Sequence, residues 1–455
     1  MKRRVAAVLL SAVVASVGLC LTPARAGGVL VVDDDPHRGT CHADHAAFTT
    51  IQAAVEAAHS GDTIRVCPGL YEETVTVGTP SLRIEGAKAG RDARRRSRHH
   101  ESIVTGDPTT AAAGAVQLRA NDITWDGFLI RDNTAGPGMY TSPLASGYDI
   151  RNTIFKDNGI GLHFGSSCVC ESKVRNNLFI ANNEFTGVGA GNGIYSNEGA
   201  QKVLIADNRF ERHNGAGILF ADSDTGIHQR GVRVERNQSV DDRTFAAFYA
   251  SARVRLTGNV VKARVDDPRF PEPASAIFIG ARNDGVVVKR NKITSASGNG
   301  IDVRDSGEPG HPPAAPKNVD VSWNKVGNVR LHGIDVAASG VGEYEVRGNL
   351  ALHNTRVGIH VGAKTDDALV ADNTARANGV LDCQDESRGD GTVGDGTAGT
   401  ENTWRRNVGA NDSPDGICDA SHGKDHHHKH KRHKKHHKKR HHKKHRDDRC
   451  LPWRY

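Results

Sequence analysis

The chain has 455 residues and a formal net charge of +7. That charge is divided: the 21 residues 426–446, all His, Lys or Arg, supply +11 with His neutral, residues 1–26 supply +4, and the rest therefore carries −8. Beyond the first 26 residues no run of 18 apolar residues occurs, which excludes a helical membrane span in the body.

Residues 1–26 read as a secretory leader. Lys2, Arg3 and Arg4 form a basic head, Val5 to Leu21 is apolar, and Ala24-Arg25-Ala26 offers small residues for cleavage. Leu19 before Cys20 is too large for lipoprotein processing. The mature chain is expected to be secreted, extracellular or associated with the cell envelope, where disulfides persist. Next, Thr49 and Gln52 have capping-box spacing, and Ile51, Ala54, Val55 and Ala58 line one face of a short helix that Gly61 ends. Asp62 to Val66 reads as a first strand and Glu73 to Val77 as a second. Cys41 and Cys67 flank this unit and are expected to pair.

From residue 127 onward a repeat takes over. Short β-branched runs end at Asn152, Asn183, Asn208, Asn237, Asn259, Asn291, Asn324, Asn349 and Asn373, with Gly127 and Asn407 in the same place at the two ends. The spacing is about 27 residues on average, in the range of solenoids and propellers. After each Asn comes a small residue and then an aliphatic one, as in Ala276-Ile277, Gly300-Ile301, Gly333-Ile334 and Gly358-Ile359. A propeller blade needs roughly 40 residues, and a leucine-rich repeat would have Leu where this chain has Val, Ile and Gly. The pattern predicts an all-β fold over residues 27–420. It is a single right-handed parallel β-helix solenoid of about ten rungs, with an N-terminal capping helix and a disordered C-terminal tail over 421–455. Cys383 and Cys418 fall on neighbouring rungs, about 4.8 Å apart, a spacing that suits a disulfide.

Phe48-Thr49-Thr50-Ile51-Gln52-Ala53-Ala54-Val55, Gly61-Asp62-Thr63-Ile64-Arg65-Val66 and Pro68-Gly69-Leu70-Tyr71 resemble the opening of the pectin-lyase-like superfamily. The later Asn and Gly-Ile units resemble its parallel β-helix repeats, found also in the periplasmic copper-site maturation family and in secreted carbohydrate-active proteins. The resemblance covers roughly residues 29 to 420 and implies the fold, since the superfamily spans lyases, hydrolases, epimerases, phage adhesins and non-enzymes. The Gly-His-Gly and Arg-Ile-Lys motifs that a polygalacturonase would imply do not occur. The one Asp-Pro-His triplet, Asp35-Pro36-His37, precedes the helix rather than lying in a rung.

Aligning rungs on the Gly-Ile step makes the next residue point outward. That column reads His163, Tyr195, Leu219, Tyr249, Phe278, Asp302, Asp335, His360 and Leu381, with Arg304 two steps along its strand. Tyr195, Tyr249 and Phe278 are expected to hold sugar rings, and Asp302, Asp335, His360 and Arg304 to form a catalytic group. Two carboxylates about 5 Å apart could divide acid and nucleophile or base roles. They could instead hold Ca²⁺ against a uronic acid, with Arg304 or His360 taking the proton. A solvated outward column would also be polar without any such role.

Cys168 and Cys170 face the same way and could form a disulfide or hold copper. Arg94, Arg95, Arg96, Arg98, His99 and His100 form a basic loop. In the tail, His426, His427, His428 and His430 begin a tract that could bind Zn²⁺, Cu²⁺ or Ni²⁺, and its Lys and Arg attract polyanions. The expected partner is an extracellular polysaccharide or anionic cell-wall polymer rather than nucleic acid, and the chain is expected to be monomeric. Two readings stand: a β-helix protein that binds or processes extracellular polysaccharide, lyase-like or hydrolase-like; or a non-catalytic cell-envelope or metal-binding solenoid anchored by its tail.

Overall fold

The computed structural model describes residues 27–419 apart from 36–40, 42–46, 96–97, 108, 183–188, 222–228, 267, 307–313, 342 and 388–395. The leader with Cys20, His37, Arg96, Asn183, the metal-binding candidates His426, His427, His428 and His430, and Cys450 lie outside the described residues.

One chain winds three parallel sheets of 15, 12 and 13 strands, here sheets I, II and III. Each turn visits them in that order, as in Tyr344–Arg347, Leu350–Leu352 and Val357–Val361. This is the parallel β-helix that the repeat and the resemblance predict, and its sheets run past the eleven positions that the Asn pattern indexes. Strands are two to seven residues long and alternate inward and outward. Tyr344 and Val346 are buried while Glu345 and Arg347 face out. Like stacks on like inside: the Phe155, Phe179 and Phe210 rings lie 4.7 and 5.0 Å apart and nearly parallel.

The Asn repeat forms the corner between sheets I and II. Asn177, Asn208, Asn237, Asn259, Asn291, Asn324, Asn349, Asn373 and Asn407 are all buried. From Asn208 onward each Oδ1 accepts the backbone N–H of the preceding corner residue, at 2.8–3.0 Å, and that residue's Nδ2–H, at 2.9–3.1 Å. The residue before each Asn turns the chain in the left-handed region, from Asn176 (φ 56°) to Arg406 (φ 53°). Gly127 (φ 84°) and Asn152 (φ 51°) hold that turning position. The ladder position in their rungs belongs to Phe128 and Thr153, whose N–H donates to Asn177 Oδ1. The repeat is thus read one residue early at its start, because Gly and Asn both suit the left-handed turning position and Asn suits the ladder position as well. In the rung that was indexed on Asn183, Asn177 is the ladder residue.

The N-terminal cap is a helix, Ile51–Ala57, whose cap is Thr50 rather than Thr49. Thr50 Oγ1 accepts from Ala53 N, while Glu73 accepts the Ile51 and Gln52 N–H groups. Gln52 is drawn away to accept from Thr76 N, so the reciprocal capping box does not form. The helix ends at Ala57, and Gly61 (φ 91°) turns the chain into Thr63–Val66. A strand ahead of the expected first one, Val29–Val32, pairs with Thr63–Val66. Disulfides Cys41–Cys67 and Cys383–Cys418 staple the two ends. Cys168 and Cys170 are disulfide-bonded as well, which leaves no thiolate for copper. In the basic loop, Arg94 grips Asp92, and the buried Arg98 pairs with Glu101 at 2.7 Å. Among the described residues no helix is long and apolar enough to cross a membrane.

Candidate functional site

Sheet III presents the outward column. Backbone pairing places Ala247 beside Phe278, then Asp302, Asp335, His360 and Gln384 on successive strands. His163, Tyr195, Leu219, Phe278, Asp302, Asp335 and His360 fall as the Gly-Ile alignment predicts. Two places in the column need correction. Ala246, not Phe248, is the inward partner of Ile277, so Ala247 holds the place given to Tyr249. Cys383 is the inward partner of Ile359, so Gln384 replaces Leu381. Tyr249 still faces outward, two residues along, with its ring 5.4 Å from that of Phe278. Tyr195 is 3% exposed, packed with Ile160, Ala221 and Leu219 under Gly189, so its ring face is not open to a sugar.

The strands Ile301–Arg304, Ile334–Ala337 and Val357–Val361 carry one connected polar network. Arg304 donates from Nε to Asp302 Oδ1 (2.6 Å) and from Nη2 to Asp335 Oδ2 (3.0 Å), tying the two carboxylates together. Ser275 Oγ donates to Asp302 Oδ2 (2.7 Å), Asn299 Nδ2 donates to Asp335 Oδ2 (2.8 Å), and His360 Nδ1 bonds Asp335 Oδ1 at 2.7 Å. His360 Nε2 lies 3.5 Å from Glu386, and the His332 ring stacks on His360 at 4.5 Å. Ser275, Asn299 and His332 were not singled out from sequence. They share one signal, a polar residue directly before the small-Ile step, and each reaches the column residue of the next rung.

These contacts push the two carboxyl groups in opposite directions. Burial and the neighbouring Asp335 charge raise the Asp302 pKa more than Arg304 and Ser275 lower it. Burial also acts to raise Asp335, but the hydrogen bond and charge of His360, with His332 and Arg304, outweigh it and hold Asp335 low. Burial lowers His360, yet Asp335 and Glu386 win and raise it. Arg304 is likewise held cationic: Asp302 and Asp335 overcome its burial. Burial and the His360 charge lower His332 to about 4. Its buried Nδ1 has no hydrogen-bond partner.

His332 makes a testable contribution. Its pKa is lowered on folding, so the unfolded chain binds the proton first, and stability falls as pH drops from about 6.5 towards 4. In His332→Gln this loss disappears. Urea denaturation at several pH values should give a wild-type deficit that grows below pH 6.5 and is constant above 7. A difference independent of pH would contradict the assignment.

Asp302 and Arg304 sit at one end of a groove of about 530 Å³, also lined by Phe278, Tyr249, Ser275 and Arg243. A Ca²⁺ ion on the Asp pair, left open by the sequence, does not fit. All four carboxylate oxygens already face donors, and the Arg304 cation lies between them. Among the described residues no group of three or more His, Cys, Asp or Glu converges as a metal site.

The fold and site together define a parallel β-helix protein with an aromatic and polar groove on one sheet. No protein-family model matches the chain, and no curated protein does. Among solved structures it is similar to the catalytic unit of a thermostable GH87 α-1,3-glucanase from Streptomyces thermodiastaticus strain HF3-3. That match has 13% identity over 79% of this chain and 66% of that one, just under two thirds of its length, with a TM-score of 0.49. A double mutant of the periplasmic alginate epimerase AlgG matches at 14% over 76% of this chain and 77% of that one, TM-score 0.43. The DFA-IIIase from Arthrobacter chlorophenolicus A6 matches at 16% over 72% and 82%, TM-score 0.41. Likeness at these identities speaks to fold alone.

Proposed function

We propose that this protein is a secreted enzyme that binds an extracellular polysaccharide in the sheet III groove and cleaves a glycosidic bond there with the carboxyl pair Asp302 and Asp335. The observation that carries the reading is the pair of carboxyl groups on adjacent rungs, bridged by Arg304 and displaced in opposite directions. Groups whose surroundings separate their pKa values divide acid and base work. Asp302, inclined to hold its proton and lining the groove, is the acid for the leaving oxygen. Asp335, kept ionised, is the nucleophile or stabilising anion. Backbones about 4.8 Å apart bring the carboxyl groups near the spacing used by retaining glycosidases. Tyr249 and Phe278 supply apolar faces beside Asp302.

The elimination reading is less well supported. Its proton acceptor would be Arg304 or His360, and the surrounding carboxylates favour the cationic form of both. Incubation with a panel of neutral and acidic polysaccharides tests the choice. Hydrolysis releases new reducing ends without absorbance from unsaturated sugars. Unsaturated ends would mark elimination, and no new ends from any glycan would remove the enzymatic reading.

A further inference from the structure

Arg243 is the charge in the groove wall that the network above does not use. It precedes the strand Thr244–Phe248, two rungs before Asp302 and so about 10 Å from it along the solenoid axis. The charged residues lining the groove are Arg243, Asp302 and Arg304. Arg304 is matched by two carboxylates, whereas Arg243 has no ion pair among the described residues. Its guanidinium lies 5.1 Å from the Phe270 ring centroid. Its Nε is buried with no hydrogen-bond partner. Nearby Arg264, by contrast, donates to Asn214 and to the Asp241 carbonyl oxygen.

Arg243 is half-buried, and a cation that the protein leaves without an ion pair in a groove wall gains a partner when an anionic ligand binds there. The cation–π contact with Phe270 holds the guanidinium in the groove wall without neutralising it, so its charge is left for a planar or tetrahedral anion. A neutral saccharide would offer only hydroxyl groups to this cation.

We propose that Arg243 is a specificity-determining subsite that takes an acidic substituent, carboxylate or sulfate, on the sugar bound two rungs from Asp302. It thereby selects acidic over neutral glycans. The inference rests on the groove being a glycan site, but its test is separable from cleavage.

The test uses the full chain and Arg243→Met, with calorimetric affinities for three probes. These are a carboxylated oligosaccharide, the same oligosaccharide after carboxyl reduction, and a sulfated oligosaccharide of equal length. The basic tract at 426–446 also attracts anions, but it is present in both proteins, so the ratio between them isolates Arg243. The expected ratio is about tenfold or more for an acidic probe and near one for the reduced probe. Whichever acidic probe shows the larger ratio identifies the anion. Should Arg243→Met lose the wild-type thermal transition, Arg243→Gln provides the same ratio. Ratios near one for all three probes overturn the subsite, and cleavage of any glycan would then still support the catalytic reading. An Arg243-dependent acidic preference without cleavage of any glycan supports the subsite and overturns the catalytic reading instead.

Discussion

Asp302→Asn should lower cleavage of a native glycan by about 10²–10⁴-fold, the usual contribution of a positioned acid. The same variant should recover most of its rate on an aryl glycoside whose leaving group needs no proton. Asp335→Asn should lose activity on both substrates, because the anion is needed whichever group leaves. The two variants should also differ in stability. Asp302 accepts from Ser275 and Arg304 and is inclined towards its neutral form, so a neutral amide imitates the state already favoured. Asp335 receives Arg304, Asn299 and His360 on its two oxygens. An amide there turns an NH₂ towards a donor and removes the charge that offsets two cations. A loss of about 3 kcal/mol is expected, as for other broken buried pairs. Urea denaturation beside the two rate assays checks all four outcomes. Equal rescue of both variants by the activated substrate would contradict the division of roles.

Asn291→Ala should cost about 3 kcal/mol or more. Asn291 Oδ1 accepts the Asn259 N–H and Nδ2–H, and its Nδ2 donates to Leu256 O and Asn324 Oδ1. Truncation leaves several buried groups unmatched, each worth about 1–3 kcal/mol. Asn407, the last ladder residue, bonds on one side to Asn373 and donates to Val370 O. Asn407→Ala should therefore cost less and fray only the C-terminal rungs. A solenoid is stabilised by contacts between neighbours, so a break in the middle divides the stack while a break at its end shortens it. Thermal unfolding of the two variants should differ in size and in cooperativity. Equal and small effects would mean that the ladder does not hold the corner.

Much of this molecule is legible in sequence because a β-helix repeats its chemistry. The Gly-Ile step marks where an inward aliphatic is followed by an outward residue, and Phe278, Asp302, Asp335 and His360 follow from it. The alignment slips where strand composition departs from that step. In Phe245-Ala246-Ala247-Phe248 both Ala246 and Phe248 point inward, and the slip of two residues preserves the facing of Tyr249 while misplacing its rung. The opening of the Asn ladder slips by one because the turning position and the ladder position favour overlapping residues. Diagonal contacts were not legible at all. Ser275, Asn299 and His332 each reach a residue on the next rung, 27, 36 and 28 positions away, and loops of different length hide that relation. Nor does sequence reveal which Arg lacks a partner: Arg304 and Arg243 look alike until neighbouring rungs are stacked.

The most direct test of the central claim is the pH dependence of kcat/KM on a cleaved glycan, for the wild type and Asp302→Asn. The wild type should give a bell. Its acid limb should fall below the ordinary carboxylate pKa near 4, as Asp335 takes a proton, and its alkaline limb above it, as Asp302 loses one. Asp302→Asn on the activated substrate should keep the acid limb and lose the alkaline one. An alkaline limb that survives in Asp302→Asn, or a profile without an acid limb, would contradict the account.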